Sequence, residues 1–578
     1  MLMDLVFDIE TDDIHATKVW CIVAQNPDSG EIFKFPPNKL EEGYQFLTTA
    51  DRLIGHNIIG FDIPMVEKFG GVNLSDKDVI DTLVLSRLFN PTRDGGHSLE
   101  TWGYKLGYPK IEFEDYLNYS TDMLNYCVRD VQLNTRVLQE LRKESKGFSP
   151  QSIEIEQGVA KIMKQQEQDG FAFDMASALS LLAELREKKQ LIESEVHETF
   201  KPKWVDTKEV IPYIKKDGNL SNRGLTDDEY QRCLDTNNFN PFMRQTLQEF
   251  NLGSRKQIGE YLIDFGWKPD RFTPTGQPIV DEKTLSKITH IHEAKLIADF
   301  LLLQKRIAQI DSWVEAVKDD GRIHGFVIPN GTITGRMTHR NPNVAQVPSV
   351  HSPYGKECRA CWTVPEGHSL VGVDASGLEL RMLAHYMNDE EYINEIINGD
   401  IHTTNQNFAG LKSRDQAKTF IYALVYGAGD EKIGSIIKGS RADGKKLRER
   451  FLSSLPTYKS LKERVDRAAS KNFLKGLDGR KLYIRNKHSA LNTLLQGAGA
   501  ILMKKALCIL SGRLKLSGTP HKFVANIHDE WQIEVLSCRA NKVGQMAVES
   551  IIEAGEHFDL RCPMDGEFKV GGNWSETH

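Results

Sequence analysis

The sequence predicts a multidomain protein of mixed α/β and α+β class, and three features carry that reading. Its 578 residues allow about three to five compact units at roughly 100 to 200 residues each. Residues 1 to about 145 alternate short apolar strands with helical stretches, and mixed strand and helix return after about Gly325, a pattern of strands covered by helices. From Ile153 to about Phe200, residues such as Leu181, Leu182, Leu185, Ile192 and Val196 recur at helical spacing, which predicts long paired helices. Hydrophobic residues at 40% and charged residues at 26% are ordinary globular values and exclude collagen-like, coiled-coil and disordered chains.

In chain order, Leu2 to Phe7, Val19 to Ala24 and Leu53 to Ile54 read as strands. The breaker-rich stretch Lys143 to Gln151, with Gly147 and Pro150, marks a first boundary. Residues from about Lys201 to Asn240 are polar and broken by Pro202, Pro212, Gly218 and Gly224, so an exposed insertion is expected before helices resume near Phe242. No apolar run approaches the roughly 18 to 20 residues needed to cross a bilayer. Asp4, Asp8 and Glu10 interrupt the early apolar stretch, so neither a secretory leader nor an anchor is expected. The eight cysteines form one CxxC, Cys358 and Cys361, with no second pair at zinc-site spacing. Core packing and a reducing, cytoplasmic setting follow.

Asp8 and Glu10 lie two apart on the first strand and project to one face from its end. Two adjacent carboxylates repel unless a cation sits between them. Gly55-His56-Asn57 ends a later strand, and Phe61-Asp62 follows with Pro64 in the first helical turn. Ser120 is a plausible N-cap for a helix to Leu141, which places Tyr126 and Asp130, four apart, on one face. In this order D-x-E, N-x-x-x-F-D and Y-x-x-x-D resemble the proofreading type of 3′ to 5′ exonuclease over about 140 residues. That resemblance implies two divalent ions on Asp8, Glu10, Asp62 and Asp130, with Tyr126 orienting the attacking water. Oxygen-only ligands suit Mg²⁺ or Mn²⁺.

A second set follows. Leu370 to Val373 is an apolar strand ending in Asp374, then Ser376-Gly377 and a helical run with Glu379 and Arg381. Phe523 to Ile527 and Trp531 to Val535 read as a hairpin with His528-Asp529-Glu530 at its turn. Ser413 and Gln416 signal a capping box, and Gly427 and Gly429 end that helix. Along it Arg414, Lys418, Tyr422 and Tyr426 recur every four residues and form one stripe, two cations and then two rings, suited to a triphosphate and a base.

Together with Thr334-Gly335-Arg336, Asp400-Ile401-His402, Leu477-Asp478-Gly479-Arg480 and Asn492 to Gln496, these motifs resemble the family A DNA polymerases from about residue 150 onward, most closely the short phage replicative type. The resemblance implies a ribonuclease H-like exonuclease domain at 1–145 and a right-hand polymerase. Its parts would be a thumb region at 146–330 with the polar insertion at about 201–240, palm at 331–390 and 516–578, and fingers with a basic DNA-binding segment at 391–515. It further implies Mg²⁺, two per site and replaceable by Mn²⁺, on Asp374 and Asp529, with Glu530 alongside. Lys418, Arg414 and His402 would neutralise the triphosphate, Lys418 also protonating the pyrophosphate. Tyr422 would stack under the base and Glu379 would exclude a 2′ hydroxyl. Arg336, Tyr426, Asn492, Gln496 and His528 match DNA-contacting positions.

The implied partners are primer-template DNA and dNTPs, acting in the host cytoplasm if the chain is phage-encoded, with a phage helicase or primase left open. The net charge of −7 argues against nucleic-acid binding when taken alone. From Arg441 to Lys487, however, basic residues exceed acidic ones by ten, and this window is expected along the duplex. Phage relatives recruit host thioredoxin through an extra thumb segment; residues 201–240 occupy that place but are short, with few large apolar side chains, which argues against recruitment. A single-subunit RNA polymerase shares the palm and finger logic, but Glu379 and the exonuclease motifs weigh against it. A catalytically silent DNA-binding replication factor is disfavoured because every ligand position is intact.

Overall fold

The strand Asp4–Thr11 is central to the N-terminal sheet of this computed structural model, which describes residues 3–578. The sheet order is Ile32–Phe35, Val19–Gln25, Asp4–Thr11, Arg52–Gly55, Asp78–Asp81. The first two pairings are antiparallel and the last two parallel. The first strand's start as expected from sequence, Leu2, lies outside the described residues. Its end is corrected: it runs on to Thr11, so Asp8 and Glu10 lie inside the ladder, opposite Val23 and Cys21. The helix Thr121–Glu144, capped by Ser120 whose side chain accepts from Met123 N, packs Met123, Cys127, Val131 and Leu138 onto this sheet.

Gly147 ends this region in the left-handed conformation, and Ser149 caps the helix Pro150–Asp169. That helix joins the N-terminal sheet to the rest of the same compact unit, which comprises residues up to Asp174 together with Ala316–His578. Gln157 bonds both backbone groups of Asp81, at 3.0 and 3.1 Å. Asn330 Nδ2 donates to Val84 O at 3.1 Å and the Tyr483 hydroxyl to Phe89 O at 2.7 Å. A second sheet, wholly antiparallel, runs His521–Ile527, Glu530–Leu536, His368–Ala375, Gly566–Gly571. The helix Ala490–Leu516 belongs to the core of that region. The region Lys487–Leu516 that includes it holds an 18-residue window of mean hydropathy 1.4, long and apolar enough to cross a membrane, yet 72% of that window is buried. This corrects the expectation that no run reaches spanning length.

Inside that core sits a buried ion network. Glu156 meets Lys504 Nζ at 2.6 Å and Arg480 at 2.5 Å, and Arg480 also meets Asp478 at 2.7 Å. Arg480 therefore does not belong to the solvent-facing basic window. Arg441, Lys445, Lys446, Arg450, Lys459, Arg464, Arg467 and Lys471 of that window are exposed.

The second compact unit, Met175–Glu315, contains the long helix Met175–Thr199 and most of the helix His292–Ala316. Its core gathers Val196, Phe200, Phe250, Tyr261, Leu262 and Ile297. The segment expected to be a broken insertion is folded. Strand Lys203–Val210 pairs with Phe242–Gln248, and the helix Asp227–Thr236 between them starts on a complete capping box of Thr226 and Glu229. A strand, not a helix, therefore begins at Phe242, held extended by its antiparallel pairing with Lys203–Val210. Trp204, Ile211 and Tyr213 are exposed here, contrary to the expectation of few large apolar side chains.

Removing the Glu156 carboxylate would leave two buried cations facing each other. Glu156→Ala should lower unfolding stability by about 3 to 5 kcal/mol, read from urea or thermal unfolding; a change within about 0.5 kcal/mol, typical of surface sites, would contradict this account of the core.

Candidate active sites

The first site forms where the Asp4–Thr11 strand, the start of the helix Asp62–Gly70 and the helix Thr121–Glu144 converge. Asn57 takes the left-handed conformation and Asp81 holds the following turn through the amides of Asn57 and Ile59, at 2.9 and 3.2 Å. This turn delivers Asp62, whose Oδ1 accepts from Ile9 N at 3.1 Å, against the strand carrying Asp8 and Glu10. Asp130 comes from the facing helix and lies next to Tyr126 in one buried face, as its four-residue spacing requires.

The four acids feel one another's charge. Asp8 is held well above the usual carboxylate range by burial and then by Asp62, Glu10 and Asp130. Glu10 is raised by burial and then by Asp130, and burial pushes Asp62 up to about 7. Asp130 is also raised by burial, against the opposing pull of Lys110. Asp130 Oδ1 is buried with no hydrogen-bond partner among the described residues. Such a crowd of like charges with an unsatisfied oxygen fits a divalent cation. The donor set departs from the oxygen-only expectation in one respect. Cys127 Sγ lies 3.7 Å from Asp8 Oδ2, and the ligand atoms of Asp8, Glu10 and Cys127 all lie within 4.8 Å of one another. That thiol is raised by burial, so it remains protonated beside the carboxylates.

The second site forms at one end of the antiparallel sheet. Asp374 sits one residue before the end of its strand, directly opposite Glu530, while Ala375 N donates to Asp529 O at 3.1 Å. His528, at φ 57, makes the tight turn that puts Asp529 beside Asp374. Solvent reaches Asp374, yet desolvation by the surrounding sheet, and then Asp529 and Glu530, push its carboxyl up to about 7. Asp529 rises to about 6 through burial and then Glu379. These acids, too, form a pair that a cation would relieve.

Glu530 behaves differently. Burial alone would raise it, but the His578 hydrogen bond and Arg359 bring it below its ordinary value. Its oxygens accept from Trp574 Nε1 at 2.5 Å, Gln532 Nε2 at 2.7 Å and His578 Nδ1 at 2.9 Å. It anchors the hairpin, and none of these three partners was marked by any spacing pattern.

Facing the acids is the helix Arg414–Val425, with Ser413 accepting from Gln416 N. The capping box is only half formed, since Gln416 Oε1 accepts from Lys412 N instead of Ser413 N. The expected stripe is present: Arg414, Lys418 and Tyr426 are exposed, and the Tyr422 and Tyr426 rings stack at 6.3 Å. His402 lies 6.4 Å from the Tyr422 ring and is lowered by burial and then by Arg414 and Lys418. Asp400 caps the His402 helix and binds Arg414 at 2.7 Å. Glu379 Oε1 joins Arg336 Nη2 at 3.3 Å and the Tyr426 hydroxyl at 3.2 Å. The Tyr422 hydroxyl is raised by burial and then by Glu379, Asp529 and Asp374, which ties the stripe to the acids. Asn492 and Gln496, both half-buried, share a face of the helix Ala490–Leu516. Cys358 and Cys361 are buried core residues, as expected.

The model of DNA polymerase family A matches residues 229–576. The DNA-directed DNA polymerase of Enterobacteria phage T3 is 33% identical across 99% of this chain and all of its own length. That of Escherichia phage T7 is 32% identical over the same shares. The polymerase domain of Pol1 from M. smegmatis, solved with DNA primer-template and dNTP, has the same fold, with a TM-score of 0.80 at 17% identity, covering all of this chain and 96% of that one.

Asp62 has a pH signature. Its folded pKa of about 7 exceeds the unfolded value near 3.9, so its contribution to stability is complete below about pH 4 and is lost as pH rises towards 7. In chelator, the melting temperature of wild type relative to Asp62→Asn should fall between pH 5 and pH 8; a difference independent of pH would contradict the assignment.

Proposed function

Because the chain belongs to DNA polymerase family A and is a DNA-directed DNA polymerase of the phage replicative type, we propose that its two carboxylate groups divide the work, Asp374 and Asp529 serving synthesis and Asp8, Glu10, Asp62 and Asp130 serving 3′ to 5′ proofreading. Proofreading and dependence on divalent metals are general properties of this family. We assign Mg²⁺, two per site and replaceable by Mn²⁺, to these carboxylates. When bound, such ions activate an oxygen nucleophile and neutralise charge building at phosphorus.

The observation that supports this reading best is the meeting of the cation and ring stripe with two acids distant in the chain, Asp374 on the strand His368–Ala375 and Asp529 at the turn of the hairpin. In the synthetic site Arg414, Lys418 and His402 bind the triphosphate, and Lys418 protonates the departing pyrophosphate. Tyr422 stacks under the incoming base. Glu379, gripped by Arg336 and Tyr426, forms a fixed wall against a 2′ hydroxyl. Arg336, Tyr426, Asn492, Gln496 and His528 contact the terminal base pair or its backbone. In the proofreading site Tyr126 orients the attacking water.

The domain limits proposed are those implied by sequence: exonuclease 1–145, thumb region 146–330, palm 331–390 and 516–578, fingers with the basic segment 391–515. The partners are primer-template DNA and dNTPs, and the setting is the host cytoplasm. We assign no role to thioredoxin, helicase or primase.

Primer extension on a defined template tests the assignment. Asp374→Asn should retain primer binding and lose extension, whereas Asp8→Ala with Glu10→Ala should lose only degradation; extension by Asp374→Asn at the wild-type rate would overturn the assignment. The Tyr422 hydroxyl can replace the hydrogen bond that a missing nucleotide 3′ hydroxyl would have made, so Tyr422→Phe should raise discrimination against dideoxynucleotides by on the order of 10- to 100-fold, the worth of one charge-assisted hydrogen bond. Equal termination by both proteins would remove the hydroxyl from that role. Glu379→Ala should admit ribonucleotides, and unchanged sugar selection would rule out the wall.

A further inference from the structure

The loop between the helices Leu99–Lys105 and Thr121–Glu144 places a cation among the proofreading acids. Lys110 Nζ lies 2.5 Å from Asp130 Oδ2 and 4.7 Å from the centre of the Tyr126 ring. Its charge is also felt by Asp8 and Glu10. Two further residues of the loop, Phe113 and Tyr116, pack on the Tyr126 ring at 5.4 and 6.3 Å. The lysine is thus held where it meets the acids and is not a freely moving surface chain. Only a quarter of its side chain is exposed, whereas most lysines are solvated.

This placement sets up a competition. Asp130 offers one oxygen to the ammonium, while its other oxygen is buried with no partner among the described residues. A dication drawn between Asp8, Glu10 and Asp130 would meet a positive charge already spending part of the acids' field, and two cations sharing one carboxylate repel. We propose that Lys110 is a built-in counter-ion of the proofreading centre, one that a divalent ion must displace from Asp130 and that thereby sets the metal concentration at which the centre loads. Lys110 is a positioning residue, acting through Asp130. The inference rests on the reading of Asp8, Glu10, Asp62 and Asp130 as metal ligands and deepens it.

The test is Mn²⁺ binding to the full chain, followed by loss of the free-ion electron paramagnetic resonance signal. It compares wild type, Lys110→Met, Lys110→Arg and the Asp8→Ala plus Glu10→Ala double variant. Wild type should bind an ion that the double variant does not. Lys110→Met keeps the length of the stem and removes the charge, and should bind that ion about tenfold tighter, the effect of a one-unit pKa influence from a neighbouring opposite charge. Lys110→Arg keeps the charge and should stay within about twofold of wild type. In chelator, Lys110→Met should melt lower than wild type, and Mn²⁺ should close the gap. Equal or weaker binding by Lys110→Met, with the wild-type ion present, would overturn the counter-ion role alone. Weakened single-stranded DNA binding at unchanged Mn²⁺ affinity would do the same and make Lys110 a substrate contact. Equal binding by wild type and the double variant would overturn the metal reading itself.

Discussion

Repulsion between carboxylates forced into one place is the constraint from which the rest of this structure follows. Water would keep Asp8, Glu10, Asp62 and Asp130 apart, and likewise Asp374 and Asp529. The fold brings them together with strand alternation, a left-handed turn at Asn57 and another at His528, and spends packing energy to do so. The raised carboxyls are the visible cost of that arrangement. The Glu156 network shows the contrast. There a buried acid is answered by Lys504 and Arg480 and its carboxyl is lowered, so nothing remains to be bound. Glu530 has been answered in the same way by Trp574, Gln532 and His578. The acids of the two groups are answered at most in part, Asp130 by Lys110 on one oxygen while the other is left without a partner among the described residues, and such acids are the ones that can recruit a dication.

Rigidity around the acids matters as much as their charge. Glu379 is held by partners from a separate loop and from the stripe helix, which in the proposed reading would keep its carboxylate in place against a larger sugar. The stacked rings of Tyr422 and Tyr426 continue the line begun by Arg414 and Lys418. In the proposed reading, phosphate, sugar and base would meet different side chains of one surface. The ties from Asp81, Val84 and Phe89 to Gln157, Asn330 and Tyr483 fasten the N-terminal sheet to the rest of its compact unit.

Much of this was legible in the chain because local rules wrote it. Asp8 and Glu10 share a face through a two-residue period, Tyr126 and Asp130 through a helical one, and Ser120 and Ser413 announce helix starts by their capping chemistry. The turn at His528-Asp529 followed from two apolar runs around it. What escaped depends on tertiary partners. Arg480 reads as one more exposed base until Glu156 arrives from 324 residues away. Cys127 and Lys110 carry no spacing signal, since a single thiol or a single loop lysine fits many surroundings. The segment after Lys201 reads only as an exposed insertion because its prolines and glycines hide a strand pair that is short and largely solvated.

The central claim is that two groups of incompletely answered acids, gathered from distant stretches of chain, form dication sites. Anomalous diffraction from crystals grown with primer-template and a non-hydrolysable dNTP, then soaked in Mn²⁺, tests it most directly. The account predicts peaks between Asp374 and Asp529 and, separately, among Asp8, Glu10, Asp62 and Asp130. Density bridging Glu156 or Glu530 instead, with both acid groups bare, would contradict it.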